Sequence, residues 1–277
     1  MLLELKQVSV SYAQFNPVLN HLNLEILSGE FIGITGKAGC GKTTLIESIG
    51  GLHKPDQGEI FLNGKDIYDD HFDRLSFRRK LQIVFQFPEN QFFETDVHNE
   101  LAFGLKMLKT SEDEIEKRIS ETMDTVGLSQ SLLSISPFAL SGGQKRKLAL
   151  ACALVIHPEI LLLDEPFSGL DAEGEKQIIS ALQKEHQKGT TILMVSHDPN
   201  TLCEISDRII AIQNGKIILN GTSGLVFAER DICENAGIGQ PNTKKTADRI
   251  GLDLQENLTY NAFLAKLAAG MKKRQDD

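Results

Sequence analysis

No stretch of this sequence is apolar for long enough to cross a bilayer. The longest run, LALACALVI at 148–156, is less than half of the roughly 20 residues a spanning helix needs. The N-terminal MLLELKQVSV has neither the basic segment nor the cleavage site of a secretion signal. Cysteine is sparse: Cys40, Cys152, Cys203 and Cys233, with no CxxC spacing among them. Reduced thiols are expected, not a disulfide framework. Positive charge is the minority sign, with 29 Lys and Arg against 38 Asp and Glu and a net charge of -9, so there is no broad basic footprint for nucleic acid. Internal repeats, low-complexity segments and sustained heptads are also missing. What remains is a 277-residue chain, 41% hydrophobic and 24% charged, long enough to bury a core in one large domain with an accessory piece.

The pattern along the chain is mixed. LELKQVSVSY, LNLEILSGEFIGITG with its Ser28-Gly29 turn, and GEIFLNGKDI with its Asn63-Gly64 turn predict short strands in an antiparallel layer near the N-terminus. Longer helical stretches then alternate with apolar strands, the α/β pattern. SEDEIEKRISETMDTVGL starts with Ser111 and Glu114 in capping-box spacing, and Ile115, Ile119, Met123 and Val126 follow helical spacing. EILLLDEP and TTILMVSH fit buried parallel strands. After QNGKIILNG, at 213–221, strand signals fade, and 225–277 reads as a small appendage ending in the charged KKRQDD.

GKAGCGKTT, from Gly36 through Lys37, Ala38, Gly39, Cys40, Gly41, Lys42 and Thr43 to Thr44, fits G-x-x-x-x-G-K-[ST]. It lies between the strand FIGIT and the helical TTLIESI, the context that motif requires. Glycines let backbone N–H groups face phosphates without an obstructing Cβ, and the helix N-terminus adds partial positive charge. Lys42 is placed to reach the β- and γ-phosphates and Thr43 to ligate Mg²⁺. A thiol among such dipoles, Cys40, is expected to have a lowered pKa and to be shielded from alkylation by bound ATP.

ILLLDEP supplies the complement. Asp164 ends a buried strand, where a carboxylate needs a partner such as Mg²⁺, and Glu165 is positioned to activate water. His197 closes TILMVSH and Gln86 follows LQIVF. The expectation is that all of these reach the C-terminal edge of one sheet, where α/β proteins bind ligands, with Gln86 touching the metal and His197 the γ-phosphate.

LSGGQ, Leu140–Gln144, selects among phosphate-binding families. With the preceding motifs it makes residues 1–225 resemble the ATP-binding subunit of an ABC transporter. That resemblance implies an α/β P-loop NTPase of the ABC ATPase type: a RecA-like core, an N-terminal antiparallel β subdomain, a helical signature subdomain at about 87–150, and an appendage. The boundaries are then 1–224 for the ATP-binding domain and 225–277 for a C-terminal dimerisation segment. SGLD, Ser168–Asp171, stands where the family has its D-loop, and Tyr12 where it has an aromatic that stacks on adenine. In LSGGQ, Ser141 is suited to cap a helix, and Gly142 and Gly143 permit close backbone approach. The resemblance implies that Ser141, Gly142, Gly143 and Gln144, with Asp171, meet the ATP of a second ABC ATPase subunit, so that two chains enclose two nucleotides. Lys145, Arg146 and Lys147 read as a solvated basic face.

VFQFPENQFFETDV, residues 84–97, is an aromatic-rich loop broken by Pro88. QFPENQFFETDVHNELAFGL, with Gln91 and Phe92, looks like the Q-loop of energy-coupling factor ATPases. This implies an importer ATPase at the cytoplasmic face of the membrane. Its Gln86–Phe93 loop would dock on a transmembrane coupling subunit that is joined to a substrate-binding membrane subunit carrying a vitamin or a transition-metal ion. Phe87, Phe92 and Phe93 are expected to wall the docking groove, and Phe85 to be core. GIGQPNTKKTADRIGLDL is similar to the same group's C-terminal segment but departs from GLxLP at Gln240-Pro241 and Leu254-Gln255. The competing reading, a soluble ABC ATPase acting on nucleic acid or ribosomes, is disfavoured by the acidic charge and by the absence of coiled-coil insertions.

Overall fold

The structure is a computed structural model that describes residues 1–12, 17–87 and 90–276, with side chains as far as Gly270. The chain starts with strands β1 (Leu3–Val10), β2 (Leu19–Ile26) and β3 (Phe31–Thr35), helix α1 (Lys42–Ile49), and strands β4 (Gln57–Leu62) and β5 (Lys65–Asp66). Next come α2 (Arg74–Lys80), β6 (Leu81–Val84), α3 (Val97–Met107), α4 (Glu112–Val126), α5 (Gly142–Leu154), β7 (Ile160–Asp164), α6 (Ala172–Gln187) and β8 (Thr191–Val195). The C-terminal part carries α7 (Pro199–Ile205), β9 (Arg208–Gln213), β10 (Lys216–Gly221), α8 (Ser223–Val226), α9 (Arg230–Ala236), α10 (Asn242–Ile250) and α11 (Tyr260–Asp276).

The chain divides into two compact units, one made of residues 1–72 and 193–277 and the other of 73–192. The first unit contains an antiparallel sheet in the order β2-β1-β4-β5. Its strands alternate: Leu3 and Leu5 are fully buried on either side of the more exposed Glu4, and Leu5 lies opposite both Leu24 and Ile60. A period of two thus covers one face and wets the other. The same unit pairs β3 in parallel with β9, Ile34 opposite Ile210, and β10 antiparallel to β9. FIGIT is buried along its whole length, as expected of a parallel strand covered on both faces. Although β2 and β3 flank one short turn, they do not share a layer, contrary to the sequence expectation: β2 joins the antiparallel sheet and β3 the parallel one. The physical reason is the change from alternating to continuous burial across Ser28-Gly29.

In the second unit β6 and β7 pair in parallel, with Val84 opposite Leu163. Around them, α4 buries Ile115, Ile119, Met123 and Val126, the stripe that its spacing predicts. Ser111 is its N-cap by backbone conformation, but its side chain makes no capping bond. The expected box fails because Glu114 turns forward instead, accepting from Arg118 Nε at 2.7 Å. Residues 223–276 are helical between short connections. None of the helices, among the described residues, is long and apolar enough to cross a membrane.

Candidate functional site

In the first unit the loop after β3 folds over the N-terminus of α1. Gly36 has φ of 147°, and a Cβ there would come within 2.3 Å of the Ile212 carbonyl and 2.7 Å of Cys40 Sγ; only glycine makes this exit from the strand. Lys37, Ala38 and Gly39 are exposed, and Gly41 (φ 109°) caps α1 without a side chain, leaving the first N–H groups of the helix available to an anion. Lys42 is buried, its ammonium folded back on the carbonyls of Gly36 (2.8 Å) and Lys37 (3.1 Å). Thr43 is exposed and Thr44 buried. Tyr12 reaches the same helix, its hydroxyl 3.3 Å from Thr44 Oγ1 and donating to Glu47 at 3.1 Å, and 44% of its surface remains open. His197 is exposed just past β8, next to Ser196, whose N–H donates to the Ile34 carbonyl of β3 at 3.1 Å. Strand ends β3 and β8 thus bring the phosphate loop and His197 to one edge of this unit. The turn after α9 also reaches the loop: a Cβ on Gly237 would lie 3.1 Å from Lys37 Cβ.

Cys40 does not have the depressed pKa expected from the motif. Burial pushes its thiol up, and the neighbouring Lys42 charge offsets this only in part. The thiol is 7% exposed, and desolvation penalises the thiolate first.

In the second unit, Asp164 is the last residue of β7 and is 3% exposed. Gln86 follows β6 at the corresponding end of its parallel neighbour. Glu165 has φ of 51°, the left-handed region, which costs a non-glycine residue about 1 kcal/mol or more. The strain turns the chain abruptly out of the strand at the residue expected to activate water. Its carbonyl accepts from Ser168 N–H at 3.2 Å, opening the SGLD turn.

LSGGQ starts α5. Gln144 N–H donates to Ser141 Oγ at 3.3 Å, and Ser141 N–H donates to Gln144 Oε1 at 2.9 Å, a complete capping box. Asp171 caps α6, accepting from Gly174 N–H at 2.7 Å. Ser141, Gly143, Gln144, Gly169 and Asp171 line a cleft of about 300 Å³, a second concave surface at a helix N-terminus. Gly142 lies exposed beside it.

The three-residue basic face is a correction. Arg146 is 9% exposed, and its Nη1 donates to the Gln86 carbonyl at 2.7 Å and to that of Glu165 at 3.3 Å. Helical phase explains this, since Arg146 lies on the side of α5 that buries Ala149, Leu150 and Ala153.

The aromatic loop also departs from expectation. Pro88 and Glu89 lie outside the described residues. Phe87 and Phe93 are 58% and 60% exposed, but Phe92 is 7% exposed and part of the core. Phe85 is half-buried. In place of Phe92, the exposed surface includes Phe103, edge-on to Phe93 with ring centres 4.7 Å apart. Gln91 turns inward, donating to the Ile83 carbonyl of β6 at 3.4 Å. Glu100, which sequence reasoning missed, sets this shape. It is buried and accepts N–H bonds from Phe93 (3.1 Å) and Glu94 (2.9 Å), while burial raises its pKa. A lone acid amid the apolar run of α3 was its only sequence signal.

The ABC transporter family matches residues 19–168. The energy-coupling factor transporter ATP-binding protein EcfA2 of Caldanaerobacter subterraneus is 40% identical, over 89% of this chain and 88% of its own. EcfA2 of Clostridium tetani is 38% identical, over 93% of each. Among solved structures, CbiO1 from Clostridium perfringens, part of the ABC transporter complex CbiONQ, matches with a TM-score of 0.74 and 32% identity, over 90% of this chain and 97% of that one. A dimeric ATP-binding cassette in a post-hydrolysis state, bound to ADP and phosphate, matches with a TM-score of 0.74 and 31% identity, over 80% and 99%.

Proposed function

The chain belongs to the ABC transporter family, among the ATP-binding proteins of energy-coupling factor transporters, and from that membership we propose how its residues work. It is an ATP-hydrolysing subunit of a transport complex. We assign nucleotide binding to Gly36–Thr44 and Tyr12, and water activation to Glu165. Lys42 and His197 stabilise the charge that develops on the γ-phosphate, the kind of electrostatic help that dominates phosphoryl transfer. In this reading Lys42 exchanges its two loop carbonyls for phosphate oxygens.

The donor set suits Mg²⁺: a hydroxyl at Thr43, an amide oxygen at Gln86 and the carboxylate of Asp164, all hard oxygens. Asp164, almost fully buried at a strand end, would supply the carboxylate of that set. Bound there, Mg²⁺ would neutralise charge on the β- and γ-phosphates.

The observation that carries the reading is the pair of open helix N-termini on one chain. One, at α1, follows the phosphate loop. The other, at α5, is shaped by the Ser141–Gln144 box and faces a cleft shared with Asp171. A single nucleotide needs one such end, so the second is assigned to the nucleotide of a partner ATPase subunit, of the same or a homologous chain. Phe87, next to Gln86 in sequence, and the paired Phe93 and Phe103, all three exposed, are assigned to the transmembrane coupling subunit. The cargo, a water-soluble vitamin or a transition-metal ion, would be recognised by a further membrane subunit. In this reading the chain works peripherally, on the cytoplasmic face of the membrane.

Co-purification from detergent-solubilised membranes tests the assignment. The expected result is a stable complex with hydrophobic membrane subunits and ATPase activity indifferent to DNA and ribosomes. ATPase activity stimulated by DNA or ribosomes, with no membrane partner, would favour the competing soluble reading.

A further inference from the structure

Arg146 does not line the cleft of Ser141 and Asp171, yet it joins three parts of the second unit. It projects from the second turn of α5, one turn beyond the capping box that shapes the Ser141 end of that helix. One guanidinium nitrogen donates to the main-chain carbonyls of both Gln86 and Glu165. These are the two residues given the metal-facing and water-activating roles above, and the inference rests on that reading.

A residue's carbonyl direction follows its ψ angle. A donor fixed on the Gln86 and Glu165 carbonyls therefore fixes how the chain leaves β6 and β7 and where each side chain projects. The constraint matters most at Glu165. This residue holds a left-handed conformation that persists only when the surroundings enforce it. Its carbonyl is also the acceptor for Ser168 N–H, so the same anchor reaches the SGLD turn and, through it, Asp171 at the cleft. A buried cation is costly in itself, and Arg146 is 9% exposed. A planar fork with several donors can satisfy two acceptors from one site, which a single ammonium on a flexible stem does less well.

We propose that Arg146 is a positioning residue for ATP hydrolysis. It holds the backbones of Gln86 and Glu165 in their working orientation and makes that orientation depend on the placement of the Ser141 helix. Contact of a partner nucleotide with the start of α5 is thereby transmitted to the residue that activates water.

The test uses the full chain in its membrane complex, with Arg146→Lys, Arg146→Ala and a Glu165→Gln control. Displacing a reacting group by about 1 Å costs on the order of 100-fold. Accordingly, kcat should fall about 30- to 100-fold in both Arg146 variants, with the larger loss in Arg146→Ala, while KM and the Kd for a fluorescent ATP analogue stay within about twofold. Millimolar guanidinium should restore part of the turnover of Arg146→Ala. The proposal is overturned if kcat of Arg146→Lys stays within twofold of the parent. It is equally overturned if both variants lose nucleotide binding together with turnover, since that marks a merely structural residue. The control separates the two layers. Normal hydrolysis by Glu165→Gln removes the underlying reading, whereas a dead control beside an unaffected Arg146→Lys removes only this inference.

Discussion

Cys40 shows how a single side chain can sit inside a reactive-looking motif and still be held as the thiol by burial. The loop brings Lys42 close, its ammonium 3.9 Å from Sγ, and that charge favours the thiolate. Enclosure by the loop disfavours it more, and the thiol keeps its proton above the ordinary cysteine range. Alkylation by a small maleimide should therefore be slow at pH 7, accelerate as pH rises past 9, and be blocked by saturating ATP. The rate of inactivation against pH measures this, with Cys40→Ser as the insensitive control. Rapid inactivation at pH 7, or equal inactivation of Cys40→Ser, would remove the claim. The sign of this shift was not legible in GKAGCGKTT, because spacing gives neighbours and charge but not enclosure. Arg146 was illegible for a related reason. Three basic residues in a row say nothing of which one the helix turns inward until its phase against the neighbouring strands is known. By contrast, the left-handed turn at Glu165 falls at the strand end that ILLLDEP marks, since an apolar run followed by two acids and proline has to leave the sheet there.

At the scale of elements, the segment joining β6 to α3 divides into a wall and a floor. Glu100 reaches back from α3 to the N–H groups of Phe93 and Glu94, and this turns Phe92 into the core and Phe93 outward beside Phe103. The two phenylalanines, adjacent in sequence, should behave oppositely. Phe92→Ala removes a core ring and should destabilise the chain by about 3 kcal/mol or more in denaturant titrations. Phe93→Ala loses one edge-on aromatic contact, worth about 1 kcal/mol, but should abolish ATP-driven uptake by the reconstituted complex while ATP binding persists. Normal uptake by Phe93→Ala would remove the docking assignment. Strand and helix periods were readable here because α4 and the parallel strands bury continuous stripes. Capping was only partly readable. The box predicted at Ser111 was lost to the Glu114–Arg118 pair, whereas Ser141, expected to cap a helix, does so within a complete box with Gln144.

For the molecule as a whole, the motifs divide between two compact units. The phosphate loop, Tyr12 and His197 are in one, and Gln86, Asp164, Glu165 and LSGGQ in the other. A sequence displays these motifs in order because each is short and fixed by local chemistry. It does not display a boundary such as the one after Phe72, which depends on contacts far apart in the chain. The α/β class and the nucleotide chemistry were therefore legible, and the placing of Arg146, which joins segments far apart in the chain, was not. The central claim is that the chain hydrolyses ATP with Glu165 activating water. The most direct test is phosphate release by Glu165→Gln measured beside its ATP affinity. The account predicts hydrolysis reduced by at least about 100-fold, the scale set by loss of a general base, with ATP affinity unchanged. Near-normal phosphate release from that variant would contradict it.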